Sequence, residues 1–151
     1  MPEGILQSLH ADHEEVLDLI DRLLATAEHS RRETLFRQMM VKLLAHAHAE
    51  QTVLYTRLMK SDDFRARGFA YEGENEHQLI EQQLQQMLRA QNKASEQWTA
   101  QLVVLRELVG RHVREEENNG FVRAKREFDA DALERLGQEF LSEKERQLSA
   151  A

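Results

Sequence analysis

Histidine and glutamate residues that stand four apart are the residues of this sequence whose types and spacing could do chemistry. On a helix, two residues at that spacing lie one turn apart on one face, so His-x-x-x-Glu presents an imidazole and a carboxylate to one metal centre. About one such pair is expected by chance from the composition. The sequence has five, which begin at His10, His29, His46, His77 and His112. A single pair is equally explained as a helical ion pair.

The position of each pair relative to the apolar face of its helix separates the two explanations. The pairs that begin at His46 and His112 continue the apolar stripe of their own helix. The stripes of the other two helices each contain one histidine, His13 and His77. A ligand for a metal in a bundle core must point inward, as these residues do. Two buried carboxylates are costly unless they are matched, and a pair of cations supplies that match. The predicted metal ligands are therefore His13, His46, Glu50, His77, His112 and Glu116.

The donor types restrict the metal. The chain has no cysteine, which excludes disulfides, iron–sulfur clusters and thiolate chemistry. Nitrogen and oxygen donors suit iron, manganese or zinc. Two glutamates from facing helices can each bridge two ions, which leaves positions for a bridging oxygen and an exogenous ligand. Open positions on redox-active iron predict binding of dioxygen, nitric oxide or peroxide.

Four long segments with apolar residues at three- and four-residue intervals must position these ligands. The first predicted helix covers about residues 6–24. The second begins at Ser30, where Ser30 and Glu33 form the pattern of a capping box. Residues 61–73 have the composition of turns and predict the longest loop. The third helix follows from about Glu74.

The fourth predicted helix begins near Ser95, and two asparagines and a glycine at residues 118–120 predict a stop or kink. Asp131 can cap a short fifth helix. Short connections favour antiparallel neighbours. The sequence therefore predicts an all-α fold: an antiparallel up-down-up-down four-helix bundle with a short C-terminal fifth helix. We expect one domain over residues 1–151, with the bundle at about 4–127 and the short helix at about 131–147.

Charge and hydropathy exclude several functional classes. The formal net charge is −7, and the 20 Lys and Arg residues are scattered among 27 Asp and Glu. Without a basic cluster we expect no binding to nucleic acid or to anionic membranes. No apolar run reaches the roughly 20 residues of a membrane span, and the N-terminus lacks the pattern of a signal peptide. These features predict a cytoplasmic protein.

The ordered set of ligand segments resembles the hemerythrin-like, or HHE cation-binding, family. The segments are LHADH at residues 9–13, HAHAEQTVLY at 46–55, EH at 76–77, and HVREEE at 112–117 with Phe121. The resemblance covers about residues 6–128. It implies two iron ions joined by an oxo or hydroxo bridge in a four-helix bundle, with the six residues named above as ligands. Iron is thereby favoured over manganese or zinc.

Two positions depart from the respiratory hemerythrins. Those proteins carry a second histidine one turn before the histidine of the third helix, where this chain has Gly73. Their fourth-helix carboxylate is an aspartate five residues after the histidine, whereas Glu116 follows His112 by four. Glu74 and His10 are the candidates to complete the site. These departures favour a sensor or catalyst over an oxygen carrier.

Three functions are expected from these features. The first is a non-haem di-iron protein that binds dioxygen, nitric oxide or peroxide for sensing, scavenging or detoxification, and turnover of peroxide or nitric oxide would make it an enzyme. The second is an iron-handling or iron-sensing bundle whose metal occupancy controls a protein partner. The third is a metal-free helical interaction module.

Overall fold

The computed structural model describes residues 4–150, which form five helical rods and no strand. Helix α1 is Ile5–Leu24, α3 is Phe64–Arg89 and α5 is Ala130–Ala150. Helix α2 consists of α-helical His29–Glu50, a π-helical turn at Gln51–Tyr55 and a last α-helical turn at Thr56–Leu58. Helix α4 likewise consists of Glu96–Glu115, a π-helical turn at Glu116–Gly120 and Phe121–Glu127. None of these described helices is long and apolar enough to cross a membrane.

The first four helices form an antiparallel up-down-up-down bundle, as the sequence predicted. Along α1 and α4 the contacts run in opposite order: His13 contacts Glu116, and Asp21 contacts Arg106. The same opposite order relates α1 to α2, α2 to α3, and α3 to α4. Each of the four helices therefore has an antiparallel neighbour on both sides.

Helix α5 packs along α1 and α2. Its Leu133, Leu136 and Phe140 are buried in the same apolar cluster as the start of α1. A Cβ atom on Gly137 would lie 2.9 Å from the backbone nitrogen of Ile5, so only glycine allows α5 to approach this closely. The fifth helix of the prediction is present, and it continues to Ala150 instead of ending at about residue 147.

The buried interior consists of two apolar clusters on either side of a polar layer. One cluster surrounds Phe36 and Trp98. The other surrounds Tyr55 and Phe121 and includes the buried face of α5. Between the clusters lie the buried histidines and glutamates of α1 to α4. The bundle therefore places the chemically competent side chains in its middle.

The prediction of a loop over residues 61–73 was wrong, and so was the start of the third helix at Glu74. Helix α3 begins at Phe64, and the side chain of Asp63 caps it by accepting a hydrogen bond from the backbone N–H of Arg65 at 3.0 Å. Two glycines gave this segment the composition of a turn. Gly73 is instead a helical residue. A glycine stands there because the ring of Tyr55 fills the space that a side chain would need.

The helix ends differ from the predicted caps in two places. Helix α2 begins at His29 without a side-chain cap, and Glu33 pairs with Lys93 and Arg37 instead of closing a capping box with Ser30. Asp129, not Asp131, accepts the capping hydrogen bond of α5, from the N–H of Ala132. The predicted start of the fourth helix is confirmed, since the Ser95 side chain accepts from the backbone N–H of Trp98. Residues 118–120 form a π-helical turn, after which the helix continues.

Candidate metal centre

The polar layer contains two groups of three donor residues. His13, His46 and Glu116 form the α1 group, which takes its name from the helix of its first histidine. Glu50, His77 and His112 form the α3 group. Within each group, one donor atom of each residue lies within 4.8 Å of the other two. The structure thus brings together all six residues that the sequence singled out. Their ligation of a metal stays a prediction.

Each of the two carboxylates faces both groups. Glu50 Oε1 lies 3.2 Å from His77 Nε2 in its own group and 3.8 Å from His46 Nε2 in the other. Glu116 Oε1 lies 3.1 Å from His13 Nε2, and its Oε2 lies 3.7 Å from His112 Nε2 in the other group. Two carboxylates so placed can bridge two cations.

Several of these donor atoms are buried without a hydrogen-bond partner among the described residues. They include Nε2 of His13 and His46, Oε1 of Glu116 and both carboxylate oxygens of Glu50. Unpaired buried polar atoms cost free energy, and a native protein seldom retains several in one place. In addition, Nε2 of His77 and Nε2 of His112 face each other at 3.2 Å. Cations between these atoms would satisfy all of them, so the residues present fit a two-metal centre.

Three carboxylates outside the groups hold the outer nitrogens of the histidines. The Nδ1 contacts are His13 to Glu117 at 2.7 Å, His46 to Asp12 at 2.8 Å and His112 to Glu76 at 2.9 Å. A histidine that donates its Nδ1–H to a carboxylate presents the Nε2 lone pair toward the centre and becomes a more basic ligand. The three carboxylates therefore orient three of the four imidazoles.

The sequence analysis gave these three carboxylates no role. Each stands next to a predicted ligand in the chain, but it supports a histidine on the adjacent helix. A residue next to an inward-facing one lies about 100° around the helix and points toward the neighbouring rod. Acidic residues flanking inward ligands were therefore the signal that would have identified them.

The two groups correspond when α1 is exchanged with α3 and α2 with α4, but the correspondence is incomplete. Asp12 on α1 then matches Glu76 on α3. Glu117, the partner of His13, matches Gln51 on α2. Nδ1 of His77 has no hydrogen-bond partner in residues 4–150. The α3 group thus lacks one of the carboxylate supports that the α1 group has.

The π-helical turns follow the ligand pairs directly. Glu50 is the last residue before the turn in α2, and Glu116 is the first residue of the turn in α4. Hydrogen bonds in a π turn join residues five apart, and such turns are frequent at functional sites. Tyr55 and Phe121, five residues after the two glutamates, are both buried near the ligand layer.

The ring of Tyr55 fills the space beside Gly73. Its ring stacks on His77 with centroids 5.2 Å apart, and its hydroxyl donates a 2.7 Å hydrogen bond to Glu116 Oε2. The two candidates for completing the site are not in either group. His10 is 40% exposed and contacts Glu14 and Glu117. Glu74 is only partly buried.

Burial and charge pairing shift the pKa values of the layer in the metal-free protein. Burial lowers the pKa of His13, but the nearby carboxylate of Glu116 outweighs it and raises the pKa to about 9. Burial likewise lowers the pKa of His112, but the carboxylates of Glu50 and Glu76 raise it well above its usual value. Burial raises the pKa of Glu50, but its close polar contacts, first with Glu116 and then with His112, hold it well below its usual range.

A cavity of about 240 Å³ lies beside the donors of both groups. Its apolar wall includes, from each of α1 to α4, one aliphatic residue that stands three positions from a donor histidine: Val16, Leu43, Ile80 and Val109. Polar residues of α2 and α3 form its outer rim: His48, Gln51, Gln78 and Glu81. A side-chain contact of 3.7 Å joins His48 to Glu81 across this rim. The donors are therefore reachable from the gap between α2 and α3.

Comparison with known proteins agrees with this geometry. The family model described as the hemerythrin HHE cation-binding domain matches residues 4–124. Comparisons with curated proteins and with solved structures gave no match. The matched stretch contains all six donor residues and their three carboxylate supports, whereas α5 lies wholly beyond it. The match covers most of the chain. The chain therefore belongs to the hemerythrin HHE cation-binding domain family, whose domains bind metal cations.

Proposed function

We propose that this chain is a non-haem di-iron protein that binds a small oxidant, namely dioxygen, nitric oxide or peroxide, for sensing, scavenging or detoxification. One observation carries the proposal: two groups of three donors share a buried layer, and both carboxylates face both groups. Iron held by nitrogen and oxygen donors supplies redox chemistry toward such oxidants. Manganese and zinc suit the same donor types.

The protein contributes a fixed donor set. Because Asp12, Glu76 and Glu117 hold the outer nitrogens of three histidines, the ring orientations are set before a cation arrives. Glu50 and Glu116 supply the negative charge that offsets two cations in a core that excludes water. Two histidines and the shared carboxylates at each ion would leave coordination positions for an exogenous ligand.

The cavity supports a ligand of a few atoms without charge. Its volume of about 240 Å³ is below the roughly 300 Å³ at which sites for larger ligands begin. Four aliphatic side chains of its inner wall offer no hydrogen-bond partner, so the polar groups that a ligand meets are those of the donor layer and of the rim. Dioxygen, nitric oxide and hydrogen peroxide all meet these limits.

Tyr55 holds a proton beside the layer. Burial, together with the charge of Glu116, raises the pKa of Tyr55 well above its usual value, so the phenol remains protonated. The hydroxyl therefore keeps donating to Glu116 Oε2 at 2.7 Å. This hydrogen bond fixes the orientation of a carboxylate that faces both groups. The Tyr55 ring packs against Phe69 and His77, and its hydroxyl adds this polar contact.

Loading with iron followed by exposure to each oxidant tests this proposal. The protein is loaded with Fe²⁺ without oxygen and mixed separately with dioxygen, nitric oxide and hydrogen peroxide. We expect near-ultraviolet charge-transfer bands after oxidation and a spectral change with at least one oxidant. Repeated consumption of peroxide or nitric oxide would make the protein an enzyme. A spectrum that none of the three oxidants changes would overturn the proposal.

The buried, unpaired donors also support the iron-handling alternative, in which metal occupancy controls a protein partner. Because metal binding to such a layer is linked to folding, loss of iron should loosen the bundle. Retention of iron distinguishes the two functions. A di-iron protein that reacts with oxidants keeps its iron through oxidation and dialysis, whereas an iron-handling protein releases it to a competing chelator.

A further inference from the structure

Helix α5 contacts the α1 group from outside the bundle. Nζ of Lys144 lies 2.8 Å from Oδ1 of Asp12, and the other oxygen of that carboxylate, Oδ2, lies 2.8 Å from Nδ1 of His46. One carboxylate thus joins an ammonium group on α5 to an imidazole of the layer. Both Lys144 and Asp12 are largely buried, at 22% and 13% exposure.

Phe140, one turn before Lys144, covers the same region. Its ring is fully buried and meets the ring of His46 edge to face, with centroids 5.6 Å apart. The Lys144 ammonium lies 5.4 Å from the centroid of the Phe140 ring. A hydrophobic ring against His46 limits the access of water from the α5 side, and removal of water strengthens a charge-assisted contact.

The α3 group has no equivalent of this arrangement. His112 is held by Glu76 as His46 is held by Asp12. Glu76, however, is 28% exposed, and within residues 4–150 it forms no ion pair with a lysine or an arginine. Helix α5 contacts α1 and α2, which leaves the Glu76 side of the bundle uncovered. The two donor groups therefore differ in what supports the carboxylate behind the histidine: Asp12 behind His46 has a lysine partner, and Glu76 behind His112 has none among residues 4–150.

We propose that α5 is a positioning clamp for the α1 group, in which Lys144 fixes Asp12, Asp12 fixes His46, and Phe140 seals the contact. This inference rests on the proposed metal function. Helix α5 begins after the residues that the family model matches, so this support is an addition of this chain to the domain. The clamp makes affinity at one ion depend on the docking of α5.

Two measurements on the full chain test the clamp. In the metal-free protein, nuclear magnetic resonance detects the His46 Nδ1–H proton, which exchanges slowly only while Asp12 holds it. Anaerobic titration with Fe²⁺ then gives the number of ions and the affinity of each. Lys144→Met keeps the aliphatic stem and removes the charge, and Lys144→Arg keeps the charge. Arg146→Met is the matched control, because Arg146 is 68% exposed and, among residues 4–150, pairs only with Glu143 on α5.

For Lys144→Met we expect loss of the His46 proton signal and roughly tenfold weaker binding of one of the two ions, in line with the effect of altering groups behind a ligand. Lys144→Arg should retain most of the His46 proton signal and most of the iron affinity. Arg146→Met should match the wild type. An unchanged His46 signal in Lys144→Met, or equal weakening of both ions, would overturn the clamp. If the wild type bound no iron, the proposed function would fail, and the His46 signal would still decide whether Lys144 positions the imidazole.

Discussion

The ring of Tyr55 occupies the space into which a side chain at Gly73 would extend. A Cβ atom at position 73 would lie 2.6 Å from the ring and hydroxyl atoms of Tyr55. The two residues are on adjacent helices. Tyr55 ends the π-helical turn of α2, which places its ring beside the ligand layer and against Gly73 of α3. The Tyr55 ring thus leaves no room for a side chain at position 73, and each donor group of the layer consists of three residues.

This pairing predicts a strong interaction between substitutions at the two positions. Gly73→Ala places a methyl group against the Tyr55 ring and should destabilise the protein by about 1–3 kcal/mol, the usual cost of overpacking a core. In a Tyr55→Ala background the same change should cost little, because the ring has gone. Urea unfolding of the single and double variants measures this coupling. Equal costs in both backgrounds would contradict the contact.

Removal of one histidine from either group should remove one ion. His46→Ala deletes a donor of the α1 group and His112→Ala a donor of the α3 group, so each variant should bind about one iron ion instead of two. His48→Ala is the control, because His48 is 45% exposed and belongs to neither group. Metal analysis after desalting measures the content. Wild-type iron content in both variants would instead favour binding elsewhere in the chain.

A larger side chain in the cavity wall should slow access without removing iron. Ile80 is buried and lines the cavity three residues from His77, and Ile80→Phe fills part of the roughly 240 Å³ beside the donors. We expect normal iron content and at least about tenfold slower reaction with peroxide, followed by stopped-flow absorption. Leu79→Phe, at an exposed neighbouring position, is the matched control. An undiminished rate in Ile80→Phe would mean that the oxidant enters by another route.

The metal-free protein should be most stable at mildly acidic pH. The pKa of His13 is raised from 6.5 to about 9 in the folded chain, so its contribution is complete below pH 6.5 and is lost as the pH rises to about 9. The pKa of Glu50 is lowered from 4.5, so its contribution is complete above pH 4.5 and is lost at lower pH. Maximum stability should therefore lie between about pH 4.5 and 6.5.

Urea unfolding in the presence of a chelator measures this profile. The His13 share of the loss between pH 6.5 and 9 should reach up to about 3 kcal/mol, since one unit of pKa corresponds to about 1.4 kcal/mol. In His13→Gln this share should disappear, whereas the share that comes from His112 should remain. Iron needs neutral imidazoles, so the rise in melting temperature on adding iron should grow over the same interval. A metal-free protein that gained stability toward pH 9 would contradict the assignment to His13.

The sequence was sufficient to predict that these six side chains face the core, because inward position is a local property. A histidine that continues an apolar stripe must face the core of any bundle built from that helix, and this holds for His46 and His112 without knowledge of the neighbours. The capping serine of α4, Ser95, was predictable for the same reason. Its hydrogen bond to the N–H of Trp98 lies within four residues of chain.

Features that depend on two distant segments were not predictable in this way. Gly73 looks like a turn residue until the ring of Tyr55 is placed beside it, and that placement needs the π-helical turn of α2. The role of Lys144 depends on docking of α5 onto α1, across 132 residues of chain. Sequence periodicity shows which face of a helix is buried, but not which residue of another helix meets it.

Anaerobic titration of the wild-type chain with Fe²⁺, followed by admission of air, tests the two-metal layer most directly. Two iron ions per chain should bind and resist desalting, and near-ultraviolet charge-transfer bands should appear on oxidation. Glu50→Ala, which removes a carboxylate that faces both groups, should lose these bands. A folded wild-type protein that retains less than one iron ion per chain and develops no such bands would contradict the di-iron centre.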